Sequence, residues 1–158
     1  MNSSIEITEA VKLADKLIAR TREGKLAWEA SGVMLMALPT DPSGATAFTT
    51  TLEGNLKAKV SIVNLGQDEQ LAFSLVEFDP RRIDGHDLIS IVHDESLSSD
   101  KDVLSVSIEK DPSFGYDTVE DRHLAGLLTD LYRLARRSAL KIDGSVEKAL
   151  SYLDRIAV

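Results

Sequence analysis

The sequence predicts an α+β fold: an N-terminal helix, a largely antiparallel sheet of about six strands, and two C-terminal helices packed on one face of it. Three observations predict this. Apolar residues recur at helical spacing at both ends of the chain and at period two through its middle. Short turn signals separate the middle segments, so neighbouring strands connect as hairpins, which run antiparallel. The helices are segregated from the strands, as in a sheet with helices covering one side. The chain has 158 residues, a length that suits a single domain over 1–158. No repeat, low-complexity tract or long linker divides it.

Residues 4–24 form the first helix. Ile7, Val11, Ala14 and Ile18 keep helical spacing, and Ala10 and Leu17 widen the stripe. Ser3 followed by Glu6 is a capping-box pattern. Arg20 and Arg22 suit the negative end of the helix dipole, and Gly24 supplies the stop. Residues 25–31 switch to period two, with Leu26, Trp28 and Ala30 on one face. Residues 33–38 are continuously apolar and either extend that strand or cover the core. The run Pro39-Thr40-Asp41-Pro42-Ser43-Gly44 is the clearest loop signal.

Residues 45–52 and 56–64 read as a hairpin around Glu53-Gly54-Asn55. In its second arm Leu56, Ala58, Val60 and Ile62 alternate with Lys57, Lys59 and Ser61, so one face is buried and one wet. Leu71, Phe73 and Leu75 mark the next strand. Residues 88–93 and 103–110 supply two more, with Leu104, Val106 and Ile108 pointing one way. The chain then returns to helix. Asp117 or Thr118 caps it, and Leu124, Leu128, Leu131 and Ala135 form its stripe. A last short helix starts at Asp143-Gly144-Ser145, with Val146, Ala149, Leu150 and Leu153 as its apolar side.

Composition removes whole classes of function. The chain has no cysteine, which excludes a disulfide framework, a thiolate metal site and a cysteine nucleophile. The first residues carry acids and no apolar core, unlike a signal peptide. The longest apolar run is far below the ~20 residues that span a bilayer. These features predict a cytoplasmic protein without a membrane span. Eighteen basic residues against 26 acidic ones leave a net charge of −8, which argues against general binding to nucleic acid or anionic membranes. Glycine-rich nucleotide loops, His-Glu-x-x-His and Gly-x-Ser-x-Gly are absent.

Two segments carry candidate chemistry. Asp84-Gly85-His86-Asp87 and His93-Asp94-Glu95 bring imidazoles and carboxylates close in sequence, the donor set of a zinc or manganese site or of a general base. On a strand from 87 to 93, His93 shares parity with Asp87 and not with His86, so the two imidazoles converge only if the loop folds back. The plainer reading is two solvated strand ends. The second segment, Asp111-Pro112-Ser113-Phe114-Gly115-Tyr116-Asp117, places two aromatics in a loop. Phe114 and Tyr116 are either anchors for a partner or, in the case of Phe114, a staple tucked under the following helix. Arg133, Arg136, Arg137 and Lys141 fit phosphate or an acidic partner, and more simply serve a helix C-terminus and its nearby acids. His123 reads as a surface histidine and Trp28 as core. If the sheet has a bare face, Thr49, Thr51, Lys57, Lys59 and Ser61 make it flat and polar.

The segments Leu17-Ile18-Ala19-Arg20-Thr21-Arg22-Glu23-Gly24-Lys25-Leu26-Ala27-Trp28-Glu29 and Leu128 to Asp143, which contains Leu131-Tyr132-Arg133-Leu134-Ala135-Arg136-Arg137-Ser138-Ala139-Leu140, resemble the two ends of small uncharacterised bacterial proteins. The resemblance rests on a GKLxWE segment and an LYxxARRxAL helix, about a fifth of the chain. It implies a helix, an antiparallel sheet and a C-terminal helix in a bacterial cytosolic protein, of the kind found in mobile or defence-related regions. It transfers no catalytic residue.

Three functions remain open. The preferred one is a non-enzymatic interaction module that binds or neutralises a partner protein, as immunity proteins and regulators do. Its contact residues are Asp84, Asp87, Asp94, Glu95, Phe114 and Tyr116, its partner is basic, and it needs no cofactor and no metal. The alternatives are a metal-dependent hydrolase using His86, Asp87, His93 and Asp94, and a small-ligand sensor with a pocket near Trp28 and Tyr132. An exposed strand edge or helix face also leaves a homodimer open. The charge is uneven: residues 66–121 hold 15 acidic against 4 basic residues, net −11, while the final helices lean basic. That asymmetry fits either solubility or an acidic recognition edge.

Overall fold

A computed structural model describes residues 3–31, 47–65, 68–78 and 101–156. They form helix α1 (Ser4–Arg22), strands β1 (Glu29–Ser31), β2 (Ala47–Thr51), β3 (Leu56–Leu65), β4 (Asp68–Glu77) and β5 (Lys101–Glu109), and helices α2 (Val119–Ala139) and α3 (Ile142–Ile156). This is the α+β arrangement that the sequence predicts.

The start of α1 is set by Ser3, whose hydroxyl accepts from the Glu6 amide at 3.1 Å and so satisfies one of the donors left open at a helix start. Its end is set by Gly24 at φ +74. There the amides of Gly24 and Lys25 donate back to the Thr21 and Arg20 carbonyls, the paired closure that a left-handed residue after a helix permits. Ile7, Ala10, Ala14, Leu17 and Ile18 are its buried stripe. At the same end Glu23 accepts from Arg20 and Lys25, and these two bonds hold its carboxyl below the usual range.

The first strand is shorter than its pattern predicts. Period two begins at Lys25, yet the strand covers Glu29–Ser31 alone. Side chains take the backbone groups that a ladder would use: the Trp28 amide donates to the Ser138 hydroxyl at 3.1 Å, and the Ala27 carbonyl accepts from the Thr50 hydroxyl at 2.7 Å. The segment thereby ties the end of α2 to the sheet rather than pairing as a strand.

Five strands lie in the order β1-β2-β3-β4-β5, every pair antiparallel. The sequence predicts about six. The sixth candidate, residues 88–93, lies outside the described residues, and β4 pairs directly with β5. The β2–β3 hairpin turns at Gly54, φ +68, where the Leu52 amide donates to the Leu56 carbonyl at 2.8 Å. Alternation then sends Phe48, Ala58, Val60, Leu71, Phe73, Leu104, Val106 and Ile108 to one face, where they are buried. Helix α2, capped by Thr118 on the Asp121 amide at 3.0 Å, lays Leu124, Ala125, Leu128, Leu131 and Ala135 over that face. Helix α1 packs beside α2, and the two helices and the sheet share one hydrophobic cluster. The cover on the sheet is thus α1 with α2. The second C-terminal helix, α3, follows Lys141 at φ +53 and meets α2, with no residue buried.

The other sheet face carries Lys57 and Lys59, as predicted, but Ser61, expected on the same wet face, is buried. Lys57 Nζ sits 4.8 Å from the centre of the Phe78 ring. The Ser107 hydroxyl donates to Gln70 Oε1 at 2.6 Å across β4 and β5. No helix among the described residues is long and apolar enough to cross a membrane.

Candidate functional site

The segment after β5 has to turn the chain from the sheet edge to the first turn of α2. The Lys110 amide donates to the Glu69 carbonyl at 3.0 Å and ends the ladder. The Gly115 amide donates to the Pro112 carbonyl at 3.2 Å, closing a tight turn over Ser113 and Phe114. Gly115 takes φ +80, a backbone region that costs other residues about 1–2 kcal/mol. The turn is pinned from below by Tyr116. Its ring packs against the core cluster, and its hydroxyl donates to the Lys110 carbonyl. Burial pushes the Tyr116 phenol up, and the negative charges of Asp111 and Glu109 add to that, with Arg122 opposing.

These constraints leave Phe114 at the apex of the turn with its ring fully exposed. The staple under α2 that the sequence left open is therefore not formed. Beside it lies a groove of about 900 Å³ between the N-terminal turns of α1 and α2 and the end of β5. Ile7, Ile108 and Tyr116 supply apolar wall, and Ser4, Gln70 and Thr118 supply hydroxyl and amide. Among the described residues its ionisable lining apart from Tyr116 is Glu109, Asp117, Glu120 and Asp121, with no basic side chain. Glu120 and Asp121 sit in the first turn of α2, where the helix dipole favours a negative charge. An exposed aromatic beside an acidic groove can hold a cationic or aromatic side chain. Among the described residues the groove lining holds carboxylates, hydroxyls and an amide, and no histidine or lysine.

Of the predicted contact residues, Phe114 and Tyr116 are placed here, and only Phe114 is free to touch a partner with its ring. Asp84, Asp87, Asp94 and Glu95 lie outside the described residues, as do His86 and His93 of the metal or hydrolase reading. Among the described residues no group of three or more His, Asp or Glu side chains is placed to hold a metal. The sensor reading needs space near Trp28 and Tyr132. Trp28 is 3% exposed with its indole N–H on Thr21 at 3.0 Å and fills core, and the half-buried Tyr132 packs against that core, meeting Phe48 edge-on at 5.4 Å. His123 is exposed on α2. In the basic group, Arg137 pairs with Asp143 and Arg133 lies 3.7 Å from Asp130, the pairing with nearby acids that the simpler reading expects. Glu109, Asp117, Glu120 and Asp121 had no place among the predicted site residues. The signal for them was the acidic stretch to which they belong.

No protein-family model, curated protein or solved structure matches this chain.

Proposed function

We propose that this chain is a non-enzymatic interaction module, bacterial and cytoplasmic, that binds a partner protein carrying basic side chains. The observation that carries the reading is Phe114: a fully exposed aromatic ring on a turn held by Gly115 and by the Tyr116 hydroxyl. An aromatic fixed in water costs hydrophobic free energy that a partner pocket recovers, and a rigid turn loses little entropy on binding. The acidic groove beside it supports a basic partner, because complementary charge raises the association rate and makes it depend on salt. The same negative surface disfavours nucleic acid.

The test is co-purification of the full chain from its native host at low and high salt, with Phe114→Ala alongside. The reading expects a recovered basic partner that is lost with Phe114→Ala and weakened by salt. The variant should melt within about 0.5 kcal/mol of the parent, because the ring touches no core. Recovery of no partner at low salt, or a partner retained equally by the variant, overturns it.

A further inference from the structure

Helix α3 presents an apolar stripe to solvent. Val146, Leu150, Tyr152, Leu153 and Ile156 are between 45% and 59% exposed, and none of its 15 residues is buried. Helix α2, by contrast, buries its whole stripe against the sheet and α1. The main neighbour of α3 among the described elements is α2. A helix of 15 residues is about 22 Å long, and isolated helices of that length are marginal in water. The described residues give α3 little of the packing that stabilises such a helix.

The spacing of the stripe says what fits it. Ile142, Val146, Ala149, Leu153 and Ile156 follow one another at steps of four, three, four and three. That is a heptad seam with apolar residues every 3.5 positions, the pattern that meets another helix of the same pattern knobs into holes. Leu150 borders it. A second copy of the chain supplies such a helix by symmetry, and a two-fold contact is self-complementary. Covering the half-exposed side chains of two such helices removes on the order of 1,000 Å² from water, the lower bound for a specific interface. The charges set the direction. Glu147 and Asp154 lie on one side of the stripe, Lys148 and Arg155 on the other. In a parallel pair the acidic side of each helix runs beside the basic side of its partner. An antiparallel pair sets acid beside acid. The charges lie behind the seam, so they select orientation rather than supply affinity.

We propose that α3 is a self-association helix: two copies of this chain pair through Val146, Ala149, Leu153 and Ile156, in parallel, as a reversible dimer. The contact is separate from the Phe114 turn, so it stands whether or not that surface binds a partner.

Sedimentation equilibrium of the full chain over a range from about 1 to 200 μM, the span expected of a small interface, tests it. The parent should pass from monomer to dimer. Leu153→Asp should raise the dissociation constant about 100-fold, with the cooperative unfolding of the α1–α2–sheet core retained, because no α3 side chain belongs to the core cluster. The chain has no cysteine of its own, so Ile156→Cys reports the direction: a parallel pair sets the two thiols side by side, and mild oxidation should link them. A parent that stays monomeric throughout overturns the proposal, as does a dimer that Leu153→Asp leaves intact. A dimer in which Ile156→Cys forms no intermolecular disulfide overturns the parallel arrangement.

Discussion

Tyr116 and Phe114 divide the work of one turn between them. Tyr116 gives its ring to the core and its hydroxyl to the Lys110 carbonyl, and Phe114 is left outside. Replacing Tyr116 by phenylalanine keeps the packing and removes the hydroxyl. We expect a loss of about 1 kcal/mol in urea unfolding, the net worth of one such bond with its acceptor left behind. The phenol also makes stability depend on pH. Its folded pKa is raised, so its contribution is complete below the ordinary tyrosine value and is lost as pH rises through the folded one. The parent should therefore lose stability above a pH of about 10 more steeply than Tyr116→Phe, which urea titrations at pH 8 and pH 11 compare directly. Gly115→Ala probes the turn itself. It should cost about 1 kcal/mol from the strained φ alone, with open space around the added methyl. None of this is legible in the sequence, where an aromatic beside a glycine in a loop is equally ready to tuck inward or stand out. The outcome depends on which ring reaches the core, and that is a tertiary fact.

At the scale of elements, local signals decide most boundaries. Ser3 and Thr118 cap their helices, Gly24 ends the first and Gly54 turns the hairpin. Each is legible because the chemistry lies within a few residues. Thr118→Ala should lower thermal stability by about 1 kcal/mol through the lost cap on the Asp121 amide, which a melting curve reads. The first strand is less legible, since its shortening depends on Ser138 and Thr50, far away in the chain. Helix α3 is the instructive failure. Val146, Leu150 and Leu153 have the same spacing as a core stripe, and periodicity describes a face without saying what covers it. Only the packing of α1 beside α2 shows that the sheet face is already occupied.

For the molecule as a whole, one cluster joins α1, the sheet and α2, and Leu131 lies fully buried within it. Leu131→Ala should cost about 3 kcal/mol through lost burial and the cavity left behind, measured by chemical unfolding. The charge pattern was legible as an acidic stretch, and four of its residues now line one groove. Among the described strands the sheet order follows the chain order, and that bears on how the molecule forms. Each described strand pairs with the described strand before it, so β2, β3 and β4 can grow by short hairpins at a modest loop-closure entropy. The union of α1 with α2 joins the two ends of the chain and has the largest entropy to overcome. We expect it to be a late event of folding, so that substitutions there, such as Leu128→Ala, quicken unfolding far more than they slow refolding in stopped-flow measurements.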